Sequence, residues 1–282
     1  MGLDLAAIGR TGASREYSWI ERDTLLYALA VGAGQDPLEE LAWTTENSEG
    51  ITLEVIPSFG VVIAQQAVRP EMGDFDRSKL VHAEQHFELL SPLTASGTAT
   101  STVRVTAIED KGTGAVVRTE TETVNADTGD VWVRSKSAVF IRGEGGFGGD
   151  RGISPEWQPP REKPDHQVTM SLRPEQALIY RLTGDRNPLH SDPAFAARGG
   201  FDRPILHGMG TYGFTCRALA RIAGPGARLT AMGGRFSAPV WPGDELSVQA
   251  WVDGDHVWFR TLRNQTQVVI DRGRATLTPL EG

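Results

Sequence analysis

The chain has one cysteine, Cys216, in 282 residues. A single thiol excludes an intrachain disulfide and any zinc cluster built on cysteines. Cys216 sits in an apolar segment with Phe214 and Leu219, so it reads as a buried structural thiol rather than a nucleophile. Basic residues are in deficit: 28 Lys and Arg against 36 Asp and Glu give a formal net charge of −8. Broad nucleic-acid binding wants a basic face, so that class is disfavoured. No apolar run approaches the ~20 residues that a membrane helix needs. Residues 1–11 lack the basic and strongly apolar blocks of a signal peptide. The ending Pro279-Leu-Glu-Gly282 carries no peroxisomal or retention tripeptide. A cytoplasmic location is therefore the expectation. No residue spacing fits zinc, and no glycine loop follows a strand in a dinucleotide pattern. Neither a metal nor a redox cofactor is expected.

What is present is organised in two similar halves. Gly143-Glu-Gly-Gly-Phe-Gly-Gly-Asp-Arg-Gly152 is glycine-rich, and residues 155–164 are rich in proline and charge. Such a stretch reads as a linker over 143–164, between units 1–142 and 165–282. Residues 19–33 and 169–183 each read as a strand end followed by a helix, the second opened by Arg173-Pro-Glu175. Asp36-Pro37 follows the first helix as Asn187-Pro188 follows the second. An aromatic and a proline corner come next in each half: Phe87 with Pro92, and Phe236 with Pro239 and Pro242. Strands are expected near 99–108, 114–125 and 131–141, and again near 245–252, 256–264 and 267–278. The alternation of Val131, Val133 and Ser135 with Trp132 and Arg134 fits half-buried antiparallel strands. Asp253-Gly254 and Asn264-Gln265 are hairpin turn candidates. The whole reads as a duplicated α+β unit, a long helix wrapped by an antiparallel sheet.

One string concentrates the chemistry: Tyr180-Arg-Leu-Thr-Gly-Asp-Arg-Asn-Pro-Leu-His190. It puts a carboxylate, Asp185, and an imidazole, His190, on either side of an Asn-Pro turn. Pro188 fixes its own φ and pushes Asn187 out of the helical region. Two acid/base groups on a stiff non-helical turn suit proton transfer. Aligning Pro37 with Pro188 sets Gly34 opposite Asp185 and Glu39 opposite His190. The first half keeps the turn but lacks the pair, so one active site per chain is expected, built by the second half.

The string resembles the signature of hydratase 2, the R-specific 2-enoyl-CoA hydratases of the MaoC-like family. Tyr180, Gly184, Asp185, Asn187, Pro188, Leu189 and His190 fill the pattern. The resemblance covers most of the chain and implies a double hot-dog fold and a homodimer. It also implies an acyl-CoA thioester substrate whose coenzyme A moiety is not a cofactor. A second match, Arg203-Pro-Ile-Leu-His-Gly-Met-Gly-Thr-Tyr-Gly213, leads into an expected central helix over 214–223. In the family the glycine after this histidine gives its N–H to the thioester oxygen, a role that carries over to Gly208. Free amides in a first helical turn suit an oxyanion. Tight helix packing through Gly208, Gly210 and Gly213 is compatible with that role. His207 reads as a structural hydrogen-bonding residue rather than a catalytic one.

The same resemblance gives Asp185 and His190 the proton transfers through one held water, with Asn187 orienting the water or the pair. Arg186, Pro188 and Leu189 fall at the substrate. Val81-His-Ala-Glu-Gln85 resembles a family His-Gly-Glu-Gln element lining the acyl-CoA site, which brings in His82 and Ala83, the latter in place of the usual glycine. Asp110-Lys-Gly-Thr-Gly114 resembles a turn whose lysine meets coenzyme A, which would make Lys111 a phosphate contact; a solvated hairpin lysine is the other reading. Phe236 matches a position beside the ligand and reads equally as a core aromatic. Rival functions are the same dehydration on an acyl carrier protein, a hot-dog thioesterase, and a non-catalytic acyl-CoA binding protein.

Overall fold

The computed structural model describes residues 2–153, 157–160 and 163–280. Met1, Pro155 of the expected linker, and the terminal Glu281-Gly282 lie outside them. In chain order the first half gives β1 (Arg15–Trp19), α1 (Glu21–Ala30), α2 (Leu41–Thr44), α3 (Phe59–Ala64), β2 (Leu80–Leu89), β3 (Gly97–Asp110), β4 (Gly114–Asn125) and β5 (Val131–Arg142). The second half gives β6 (His166–Ser171), α4 (Gln176–Tyr180), α5 (Pro193–Arg198), α6 (Gly208–Ala223), β7 (Ala227–Phe236), β8 (Glu245–Asp253), β9 (His256–Arg263) and β10 (Gln267–Pro279).

All ten strands join in one antiparallel sheet of order β1-β3-β4-β5-β2-β7-β10-β9-β8-β6. Counted from its own first strand, each half has the same order: first, third, fourth, fifth, second. The duplication read from the sequence is therefore present in the topology. The two halves meet along β2 and β7, paired from Glu84↔Arg235 to Glu88↔Ala231. The expected strands all form within two residues of their predicted ends. Asn264 and Gln265 close the β9–β10 hairpin with φ of 47° and 63°, as a tight two-residue turn demands.

The helices fill the concave side of the sheet. Along α6 every residue from Met209 to Leu219 is buried, among them Tyr212, Phe214 and Cys216, which packs as a structural thiol. A Cβ on Gly213 would come within 2.4 Å of Val31, so glycine is required there for helix contact. The first half departs from expectation. Its central helix, α3, is not long: it has six residues, all buried, and ends at Ala64. The sheet beyond α3 is covered by irregular chain instead. Among the described residues no helix is long and apolar enough to cross a membrane.

The glycine-rich stretch forms no helix or strand and wraps the β3–β4 hairpin. The Asp110 carboxylate accepts the N–H groups of Gly112, Gly146 and Gly148. These bonds hold its pKa below the ordinary carboxylate value.

Candidate active site

The string from Tyr180 to His190 leaves α4 through a short 3-10 turn, Arg181–Thr183, and reverses at Gly184, whose φ of 130° only glycine adopts easily. Asp185 Oδ1 accepts the Asn187 N–H at 3.1 Å, and Asn187 Oδ1 accepts the Leu189 N–H at 3.0 Å. A second 3-10 turn, Pro188–His190, carries the imidazole inward. Asp185 stays exposed while His190 is buried.

His190 donates Nδ1–H to the Ile205 carbonyl at 2.9 Å. That bond selects the tautomer with a free Nε2 lone pair, the form a general base needs. The His207 ring stacks on it, with centroids 3.7 Å apart and planes 28° apart. His207 donates Nε2–H to the Asp185 carbonyl at 3.1 Å, so the structural reading of this histidine agrees with its contacts. Its Nδ1 is buried without a protein partner. Asp185, His190 and His207 each bring one ligating atom to within 4.8 Å of the others. One water spans such a gap with two hydrogen bonds of about 2.8 Å. A single metal ion fits less well, because the two rings are stacked and lone pairs lying in two separate, near-parallel planes do not meet at one nearby point.

Burial, first, pulls His190 below its ordinary value, while the Ile205 contact and Asp185 pull it back. Burial and then the neighbouring His190 pull His207 down further. His82 is drawn down to about 4, by burial and then by Arg69. These rings are neutral at pH 7. Each has a folded pKa below its unfolded value of 6.5, so between the two the unfolded chain binds protons that the folded chain refuses. Their stabilising contribution is complete above pH 6.5 and is lost as pH falls through the folded values. Melting temperature should therefore fall as pH drops from 6.5 toward 4. His82→Gln should make that slope shallower, and an unchanged slope would remove the buried ring as its cause. The acid limb of kcat/KM should have its midpoint below pH 6.5.

Gly208 begins α6 directly after His207, and the side chain of this N-cap residue makes no capping hydrogen bond. Its first-turn N–H groups therefore keep their partial positive charge for a ligand. A Cβ on Gly208 would meet Phe236 at an ordinary 3.6 Å, so packing does not require glycine there. Phe236 ends β7 and packs on His82 across the seam, centroids 5.0 Å apart. His82 Nε2 also lies 3.0 Å from Ser137 Oγ and 3.1 Å from the Glu84 carbonyl. Ala83 falls in a β-bulge between His82 and Glu84, which leaves it out of the strand register.

The structure thus gathers Asp185, His190, His207, Gly208, Phe236 and His82. Asn187 spends its Oδ1 on the turn, leaving its amide nitrogen for a water. Arg186 and Pro188 are exposed on the turn, and Leu189 packs toward Gly199. Lys111 makes its contacts within its own region instead. It pairs with Glu109 at 2.9 Å and donates to the Arg151 carbonyl. Glu109 also pairs with Arg118, which holds Glu84. Lys111 is therefore an already neutralised cation. The sequence reading missed Arg69, whose charge acts on both Asp185 and His82. It lies in a stretch with no periodic pattern. The first-half counterparts of the pair have another use: Gly34 N–H is held by Glu40, and Glu39 pairs with Arg221 of α6 at 2.9 Å.

Residues 17–143 match the MFE-2 hydratase 2 N-terminal domain, and residues 156–273 match the MaoC like domain. The enoyl-CoA hydratase ChsH3 of Mycobacterium tuberculosis is 43% identical over 90% of this chain and 91% of its own. The chain belongs to the MaoC-like hydratase 2 family of hydro-lyases. A second protein of that organism, 3-hydroxyacyl-thioester dehydratase Y, is 42% identical over 93% of this chain and 92% of its own. Among solved structures, a MaoC-like dehydratase from Phytophthora capsici superposes with a TM-score of 0.84 at 30% identity, covering 98% of both chains. Membership fits the double hot-dog architecture, with one MaoC-like unit in each half.

Proposed function

We propose that the chain adds water to trans-2-enoyl-CoA thioesters to give (3R)-3-hydroxyacyl-CoA, and runs the reverse dehydration through the same groups. The observation that carries this reading is an acid–base pair, one water apart, beside the uncapped N-terminus of α6. In the forward direction the pair takes one proton from the water as its oxygen bonds to Cβ. The double-bond electrons move toward Cα and the thioester oxygen, where the Gly208 N–H meets the developing negative charge. The pair then returns a proton to Cα, so water is added and both groups are regenerated. Asp185 and His190 lie on one rigid turn, which favours delivery of hydroxyl and proton from one side of the planar enoyl group.

The hand of the product is the sharpest test of the family reading. Crotonyl-CoA or a longer trans-2-enoyl-CoA is hydrated, and the product is coupled to dehydrogenases specific for each enantiomer. The expected product is the 3R alcohol alone. A 3S product would overturn the assignment while leaving hydration intact. A second reading keeps the chemistry and changes the carrier, since one relative of 42% identity is a 3-hydroxyacyl-thioester dehydratase. Turnover of enoyl-carrier-protein with none of any enoyl-CoA would favour it.

A further inference from the structure

The turn that carries Asp185 and His190 is tied to the rest of the molecule at few points. Residues 184–190 bond mainly among themselves, through Asp185 Oδ1, Asn187 Oδ1 and the second 3-10 turn. Among the described residues, two hydrogen bonds join this turn to distant chain: His190 Nδ1–H to the Ile205 carbonyl, and His207 Nε2–H to the Asp185 carbonyl. Both end on the segment that leads into α6. That segment is itself anchored. The Leu206 N–H donates to the Val240 carbonyl at 2.7 Å, and the Thr211 N–H donates to the His207 carbonyl at 3.1 Å.

His207 meets both groups of the pair with one ring. Its face lies on the His190 ring, and its Nε2–H holds the backbone of Asp185. The Tyr180 ring packs on it as well, centroids 4.7 Å apart, and the residue is 1% exposed. A carbonyl oxygen can only accept, so the proton is on Nε2 and Nδ1 carries a lone pair. That lone pair is buried without a protein partner, which costs stability. Phenylalanine would fill the same space without this cost, but it offers a face and no donor. Glutamine offers a donor and no face. Histidine offers both. Burial, and then the neighbouring His190, keep it neutral, so it adds no charge beside the pair.

We propose that His207 is a positioning residue for the reaction, a two-armed clamp whose ring face seats the His190 imidazole and whose N–H seats Asp185, fixing the gap that the attacking water spans. The proposal rests on the enoyl-thioester hydratase reading above. It assigns the geometry of the pair to a third side chain that itself transfers no proton. His207 is also the N-cap of α6, so the same residue sets the pair against the N–H of Gly208, its covalent neighbour. Misplacing reacting groups by about 1 Å can cost about 10²-fold in rate. Loss of either arm should therefore be felt in kcat and not in binding.

The test uses the full chain. At neutral pH, two-bond ¹H–¹⁵N correlations should show His207 as the neutral Nε2–H tautomer; the Nδ1–H tautomer overturns the proposal before any substitution is made. His207→Phe keeps the ring and loses the donor, and His207→Gln does the reverse. Each should lower kcat for crotonyl-CoA hydration by about 10²-fold, with the Kd of unreactive butyryl-CoA moved by less than about twofold. Each arm acts through its own partner. His207→Phe should therefore add less than about threefold loss in an Asp185→Asn background, and His207→Gln likewise in a His190→Gln background. His207→Phe removes an unpaired buried acceptor, which guards against a misfolded glutamine variant. A kcat within about threefold of the parent in either folded variant overturns the proposal. So do losses that multiply in full in the double variants, or that fall on binding and kcat alike. A parent that hydrates no enoyl thioester overturns the hydratase reading and this proposal with it.

Discussion

Asp185→Asn should lower kcat by about 10²–10⁴-fold, with binding of a product analogue little changed. The side chain is exposed, and among the described residues it makes one hydrogen bond, from the Asn187 N–H. Asparagine keeps an oxygen to accept that bond, so the turn and the melting temperature should survive. His190→Gln should behave alike, since an amide nitrogen can still donate to the Ile205 carbonyl that His190 holds. The two groups act through one water, so their losses should not add, and the double variant should resemble the worse single one. Turnover and thermal melting are measured on the same preparations. Near-normal turnover in a folded Asp185→Asn protein would sink the acid–base mechanism.

The largest effect on stability is expected far from the chemistry. Glu40→Gln should lower stability by about 3–5 kcal/mol, a fall of roughly 6–20 °C in melting temperature. Glu40 faces Arg217 of α6 at 3.3 Å, with side chains 8% and 4% exposed. Burial pulls the Arg217 pKa below its ordinary value, and Glu40 opposes that pull. Removing the carboxylate leaves a guanidinium stranded beneath the surface. Glu39 still acts on it from nearby, which places the loss toward the smaller end. Replacing both partners together, as Glu40→Leu with Arg217→Met, should recover most of the loss, because two apolar groups leave no buried charge. A single variant as stable as the parent would show that the pair contributes nothing.

The strands were legible because one face of each is solvated and the other packed, so the side chains alternate. The central strands β2 and β7 were harder to see. They lie at the seam, where Gly233 and Gly234 replace the branched residues that mark a strand. The six buried residues of α3 are apolar throughout, and such a run has no period to separate helix from strand. The nearness of Asp185 and His190 was readable because both sit on one local turn held by its own side chains. Stacking of His190 on His207 joins two loops, and only the fold brings these together. Lys111 looked like a spare cation because its partner Glu109 lies two residues away on the same hairpin, a spacing that sequence does not distinguish from solvent exposure. Arg69 lies beyond the early end of α3, which no local pattern announces.

The seam has an evolutionary consequence. Asp185 and His190 are carried by the second half, whereas His82, which packs on Phe236 across the seam, belongs to the first. Substitutions in β2 can therefore alter the wall beside Phe236 without shifting the turn that holds Asp185 and His190. A single-unit dimer would repeat every such change beside its own catalytic groups. Duplication into one chain lets the two halves change independently of each other.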